Sequence, residues 1–206
     1  MDELDFVHRY VPAEAGNSRL LLLLHGTGGD ESSMLTLGRE FDCGAAMLSP
    51  RGKVLENGAP RFFRRFAEGV FDEEDVILRA NELADFVTAA ARTYAFHLSD
   101  VTAVGYSNGA NISAAMMLLR PEVLAAAVML RAMVPLSEPA ATDLAGKRVL
   151  ISSGRTDPIV PAENSQRLAE LLRGHGANVS LVVQQAGHGL IPGDLTTVKQ
   201  WFASRA

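Results

Sequence analysis

The chain has 206 residues, 48% of them hydrophobic and 21% charged, with a formal net charge of −5. That length and balance suit a single globular domain over 1–206, and they argue against nucleic acid as a partner, since phosphate binding needs a clustered basic surface. Cys43 is the only cysteine, which excludes an internal disulfide and a thiolate metal cluster.

The start, Met1-Asp2-Glu3-Leu4-Asp5, is acidic and lacks the basic n-region and apolar run of a secretory signal. Apolar runs elsewhere are too short to span a bilayer, so a cytoplasmic chain without stable membrane association is expected. Residues 4–11 alternate apolar and polar and read as an edge strand. The leucines 20–24 form a continuous run, as in a strand buried on both faces, and residues 45–48 form a second that stops at Pro50. The segment 50–69 is the least regular and reads as a loop on the active face, carrying Arg51, Arg61, Arg64, Arg65, Phe62, Phe63 and Phe66.

A helix is expected over 72–94, opening on Asp72, Glu73, Glu74 and Asp75, which favour a helix N-terminus. Strands then follow at 101–104, 126–133, 149–152 and 179–183, and helices at 110–119, 161–173 and 194–202. Such alternation predicts an α/β fold with a mainly parallel central sheet and helices on both faces. The connection 134–146 is too short for a lid domain. Asp30 and Asp194 suit helix N-caps, Asp100 a turn, and Glu163 a helix surface.

Gly105-Tyr106-Ser107-Asn108-Gly109 is a Gly-x-Ser-x-Gly pentapeptide with a β-rich run before it and a helix of small residues after it. That context is the one a nucleophile elbow requires. A serine hydroxyl needs a base within hydrogen-bond reach. Of five histidines, His188 alone lies in a late loop after the last strand, flanked by Gly187 and Gly189. His8, His25, His97 and His175 fall in a strand, a strand end, a turn and a helix end. Asp157 follows the strand 149–152 directly, where open α/β sheets place their sites; in isolation it would equally suit a turn. The order Ser107, Asp157, His188 is the one expected of this architecture. After the leucine strand, His25-Gly26-Thr27-Gly28-Gly29-Asp30 lets backbone N–H groups converge, and the Thr27 N–H can face that of Asn108 as an oxyanion hole. No Gly-Lys-Ser/Thr follows that loop and no metal-ligand spacing is present, so neither cofactor nor metal is expected.

Taken together, Leu24-His25-Gly26, the serine pentapeptide, residues 154–161 and Gly187-His188 resemble the phospholipase/carboxylesterase family of α/β hydrolases, which includes acyl-protein thioesterases. Residues 49–52 and 61–65 look like a bacterial carboxylesterase branch sometimes associated with hydroquinone metabolism. The resemblance implies a triad of Ser107, Asp157 and His188 with Thr27 and Asn108 as oxyanion donors. Asn108 departs from the glutamine that many acyl-protein thioesterases carry after the serine. Dienelactone hydrolases share the fold with a cysteine nucleophile, and Ser107 counts against that assignment.

The expectation is a serine carboxylesterase acting on small soluble carboxylic esters through an acyl-enzyme. Acyl thioesterase or lysophospholipase activity is the alternative, as is a non-catalytic small-molecule binding protein on a hydrolase fold. Phe62, Arg64, Met133, Ile159 and Leu190 are expected to line the substrate pocket, and a homodimer is compatible with the sequence. Cys43 reads as a small core residue.

Overall fold

The computed structural model describes residues 4–42 and 44–204. Cys43, expected in the core, lies outside the described residues, as do residues 1–3. In chain order the elements are β1 (His8–Val11), β2 (Leu20–Leu24), α1 (Leu35–Phe41), β3 (Ala46–Pro50), β4 (Val54–Glu56), β5 (Ala59–Arg61), β6 (Arg65–Ala67) and β7 (Val70–Phe71). Then come α2 (Glu73–Tyr94), β8 (Val101–Tyr106), α3 (Asn108–Leu119), β9 (Ala126–Leu130), β10 (Arg148–Gly154), α4 (Ala162–Gly174), β11 (Asn178–Gln184) and α5 (Pro192–Ala203).

Seven strands form one sheet in the order β1-β3-β2-β8-β9-β10-β11. Only β1 runs antiparallel, pairing Tyr10 with Leu48 at the sheet edge. In β2 the side-chain period of two sends Leu20, Leu22 and Leu24 into a core shared with α2, α3 and α4. Leu21 and Leu23 go the other way, into a core closed by Phe41 of α1 and by Val198, Trp201 and Phe202 of α5. A leucine strand is thus buried on both faces because helices cover both faces. The α/β-hydrolase architecture follows, with every parallel strand delivering its C-terminal end to one rim.

Several boundaries differ from the sequence expectation. Asp72 caps α2 from outside, its carboxylate accepting the Asp75 N–H at 3.2 Å. Strand β9 stops at Leu130, three residues early, because Arg131 turns the chain with a φ of 57°. The expected loop 50–69 is instead two antiparallel ribbons, β4–β5 and β6–β7. The helix that Asp30 suggested begins later, as α1 at Leu35, with Met34 and not Asp30 at its N-cap. Residues 134–146 hold no helix or strand. Among the described residues no helix is long and apolar enough to cross a membrane.

Candidate active site

Ser107 stands between β8 and α3 with φ 52° and ψ −115°, a conformation that costs free energy for any side-chain-bearing residue. Its N–H donates to the Leu130 carbonyl at 2.8 Å, which pins the turn to the neighbouring strand. The pentapeptide glycines are demanded by crowding. A Cβ on Gly105 would run into the Gly109 carbonyl, and one on Gly109 into the Leu24 carbonyl. Strand and helix can close this tightly only where those side chains are missing.

Three side chains from three loops converge at the rim. His188 Nε2 lies 3.0 Å from Ser107 Oγ, and His188 Nδ1 lies 2.9 Å from Asp157 Oδ2. Asp157 follows β10, and its other oxygen accepts the N–H groups of Ile159 at 2.8 Å and Val160 at 3.0 Å. Those two bonds set the carboxylate plane, so the free oxygen faces the imidazole. Its side chain is 0% exposed against 18% for His188. With a carboxylate at Nδ1, that nitrogen carries the ring proton and Nε2 is left to accept from the serine hydroxyl.

Thr27 occupies the second position of a turn closed by the Gly29 N–H donating to the Gly26 carbonyl at 3.0 Å. Asn108 is the first residue of α3, so its N–H has no partner within the helix. One segment braces both positions. Gly28 N–H donates to the Pro60 carbonyl at 2.9 Å, Arg61 Nη1 to Thr27 Oγ1 at 2.6 Å, and Phe62 N–H to Asn108 Oδ1 at 2.7 Å. His25 adds a fourth tie, bridging the Gly26 carbonyl at 2.7 Å and the Gly52 N–H at 3.0 Å. Burial holds the His25 pKa below its usual value, and the neutral ring is the form that can accept from the Gly52 N–H.

A cavity of about 240 Å³ opens over Ser107. Met133 and Ile159 line it, together with Val160 and Phe71. Phe62, Arg64 and Leu190 do not. Phe62 is buried against His25, with ring centroids 4.7 Å apart, because its backbone is spent bracing the elbow. Arg64 turns to Asp72, an ion pair of 2.9 Å, and Leu190 packs toward the core under α5. Of the basic loop, Arg61 and Arg65 face the cavity, while Arg51 pairs with Glu31 at 2.6 Å. The aromatic rings on the cavity are those of Phe71 and Tyr106, whereas Phe63 is buried and Phe66 is 76% exposed. Among the described residues no group of three or more His, Cys, Asp or Glu side chains is placed to hold a metal ion.

The family model for the dienelactone hydrolase family matches residues 65–194, a segment that contains Ser107, Asp157 and His188. MhqD of Bacillus subtilis (strain 168), whose name carries only the class hydrolase, is 43% identical over 194 residues, 94% of this chain and 97% of that protein. The chain belongs to the dienelactone hydrolase family. A carboxylesterase crystal structure from Bacillus cereus shares 43% identity with a TM-score of 0.94, covering 97% of this chain and 94% of that one. The carboxylesterase from Mesorhizobium loti, at 34% identity, superposes with a TM-score of 0.92 over 97% of this chain and 95% of that one. This dienelactone hydrolase family member is an ester-hydrolysing enzyme of the carboxylesterase branch of α/β hydrolases. Membership corrects the inference drawn from Ser107, because the matched segment includes the serine elbow; a serine at that position does not place a chain outside the dienelactone hydrolase family.

Sequence reading missed one pair in this dienelactone hydrolase family member. Arg131 and Asp194 form a fully buried ion pair beside the His188 loop, at 2.8 Å. Asp194 is not an N-cap but the third residue of α5, accepting the Ile191 N–H at 2.9 Å. Burial alone would raise its pKa, but bonds from Arg131, Ile191 and Ser152 outweigh that and hold it below the usual carboxylate value. The signal was present in the sequence: Arg131 is the one charged residue in the apolar run 126–133. A cation in a buried strand needs a partner.

Proposed function

We propose that the enzyme is a serine carboxylesterase for small soluble esters, working through an acyl-enzyme with Ser107 as nucleophile, His188 as base and Asp157 as orienting acid. The observation that carries this reading is the unbroken chain of hydrogen bonds from Asp157 through His188 to Ser107 at 2.9 and 3.0 Å. Ser107 Oγ attacks the ester carbonyl as its proton passes to His188 Nε2, and Asp157 stabilises the imidazolium. The carbonyl electrons move onto oxygen, which the Thr27 and Asn108 N–H groups receive. Collapse expels the alkoxide, which takes the proton from His188. Water then repeats the sequence on the acyl-serine and releases the acid.

Substrate size is argued from the cavity. At about 240 Å³ it lies below the range of roughly 300–1,000 Å³ found for drug-sized ligands. Each buried methylene stabilises binding by about 0.8 kcal/mol, but only while walls remain to cover it. The loop 134–146 supplies no such wall. A cytoplasmic setting suits a chain with one cysteine, and a sheet drawing strands from His8 to Gln184 suits one domain.

The test is kcat/KM against acyl length, measured below any micelle concentration. A plateau or fall beyond short acyl chains is expected, with no jump on micelle formation. A steady rise through long chains would point to a lipid or lipidated substrate.

A further inference from the structure

The loop that carries His188 is tied at its start by Thr156, whose N–H and hydroxyl donate to the Ala186 carbonyl at 3.1 and 3.2 Å. It lies outside any helix or strand, and Gly187 and Gly189 on either side offer no side chain to pack. Beyond that, three consecutive carbonyls in it are bonded to side chains at the rim of the sheet, from Tyr106 at the end of β8 and Arg131 just past β9. Arg131 Nε donates to Gly187 O at 3.0 Å, Tyr106 Oη to His188 O at 3.2 Å, and Arg131 Nη2 to Gly189 O at 3.0 Å.

The remaining donors of Arg131 are also spent. Nη1 donates to the Ser152 carbonyl at 3.2 Å, and Nη1 and Nη2 form a two-pronged pair with Asp194 at 2.9 and 2.8 Å. Asp194 is aimed in turn by the Ser152 hydroxyl at 2.7 Å and by the Ile191 N–H. Arg131 is 0% exposed and holds a left-handed φ of 57°. A buried cation on strained backbone persists only where its surroundings over-determine it. Although Arg131 borders the cavity, all five of its N–H donors are occupied, so it has none to offer an anionic substrate.

We propose that Arg131, clamped by Asp194, is the positioning residue that holds the His188 backbone so that the imidazole spans Ser107 and Asp157. This rests on the reading of Ser107, His188 and Asp157 as the triad. The planar fork of arginine is what reaches one carboxylate and three carbonyls together; lysine offers three donors from a single point.

Two variants test it. Arg131→Lys keeps a cation opposite Asp194, and Arg131→Met with Asp194→Leu replaces the buried pair by apolar groups, an exchange folds often tolerate. Both are expected to fold by circular dichroism, to keep KM within about threefold, and to lose kcat by roughly 10- to 100-fold, the cost of about an ångström of misplacement. The hydrogen-bonded Nδ1 proton of His188, a downfield NMR signal in the wild type, is expected to broaden or vanish in both. A folded variant with kcat within about threefold of wild type and the downfield proton intact would overturn the proposal. Labelling by a fluorophosphonate separates the two levels. Wild type left unlabelled at Ser107 would sink the triad reading, whereas wild type and a folded variant labelled at equal rates would sink only the role of Arg131.

Discussion

At the residue scale, the arrangement around Ser107 divides labour sharply. Ser107→Ala is expected to lower kcat by about a million-fold, as in triads whose members act as a unit. Asp157→Asn should cost about ten thousand-fold, because the amide favours the wrong imidazole tautomer. Steady-state kinetics on one short ester checks both. Asp194→Asn is the informative contrast: it leaves Asp157 on the ring, so its loss should be much the smaller. Equal losses for Asp157→Asn and Asp194→Asn would assign the orienting acid wrongly.

Elements were legible in proportion to their length and to how local their signals are. The leucine strand β2 was read to the residue, since five apolar residues between turn signals leave little choice. Helix α2 announced itself by its acidic first turn. Helix α1 has seven residues, includes Gly38 and lacks a side-chain cap, so beyond the displaced signal of Asp30 nothing local sets its bounds. The strands of the two ribbons have two or three residues each, too few for an alternation to register. The proposed triad of Ser107, Asp157 and His188 rests on motif order along the chain, which is local and legible in the sequence. Arg131 with Asp194, and the braces from Pro60 and Phe62, join residues far apart in sequence, and no local pattern encodes their distance.

The ribbon β6–β7 supplies Arg65, Glu68, Gly69 and Phe71 to the cavity and leaves Phe66 and Val70 outside. Its cavity side combines two charged side chains with one aromatic ring, and its outer side is apolar. Arg65 is held by Glu56 at 3.0 and 3.1 Å and is partly exposed, so solvent discounts its pull on a substrate. Arg65→Gln should therefore lower kcat/KM for an ester with an anionic acyl group by about fivefold, roughly 1 kcal/mol, and spare its neutral counterpart. Equal effects on both esters would make Arg65 a structural residue of the ribbon.

For the whole molecule, two buried groups set the response to acid. His25 is held neutral by burial, so on acidification the unfolded chain takes up a proton near the usual histidine value of 6.5 while the folded chain does not. Stability should fall as pH drops through that value and level off once the folded ring also titrates. Asp194, held below the usual carboxylate value of 3.8, contributes stability above that pH that is lost as pH falls through its folded value. Urea midpoints between pH 8 and 3 are expected to show two declines, the upper one absent in His25→Asn. A single decline near pH 4 in the wild type would refute the assignment to His25.

The clamp on His188 also has a temporal side. Ser107 is translated before its base, and His188 follows 81 residues later, with Asp194 shortly behind it. At about 5–20 residues per second, that interval is several seconds. During it the elbow can form against β2 and β9 before its histidine has been made. On the proposed reading of Ser107, His188 and Asp157, a chain made only as far as the elbow presents a serine without its base, and the clamp on His188 closes only when α5 docks.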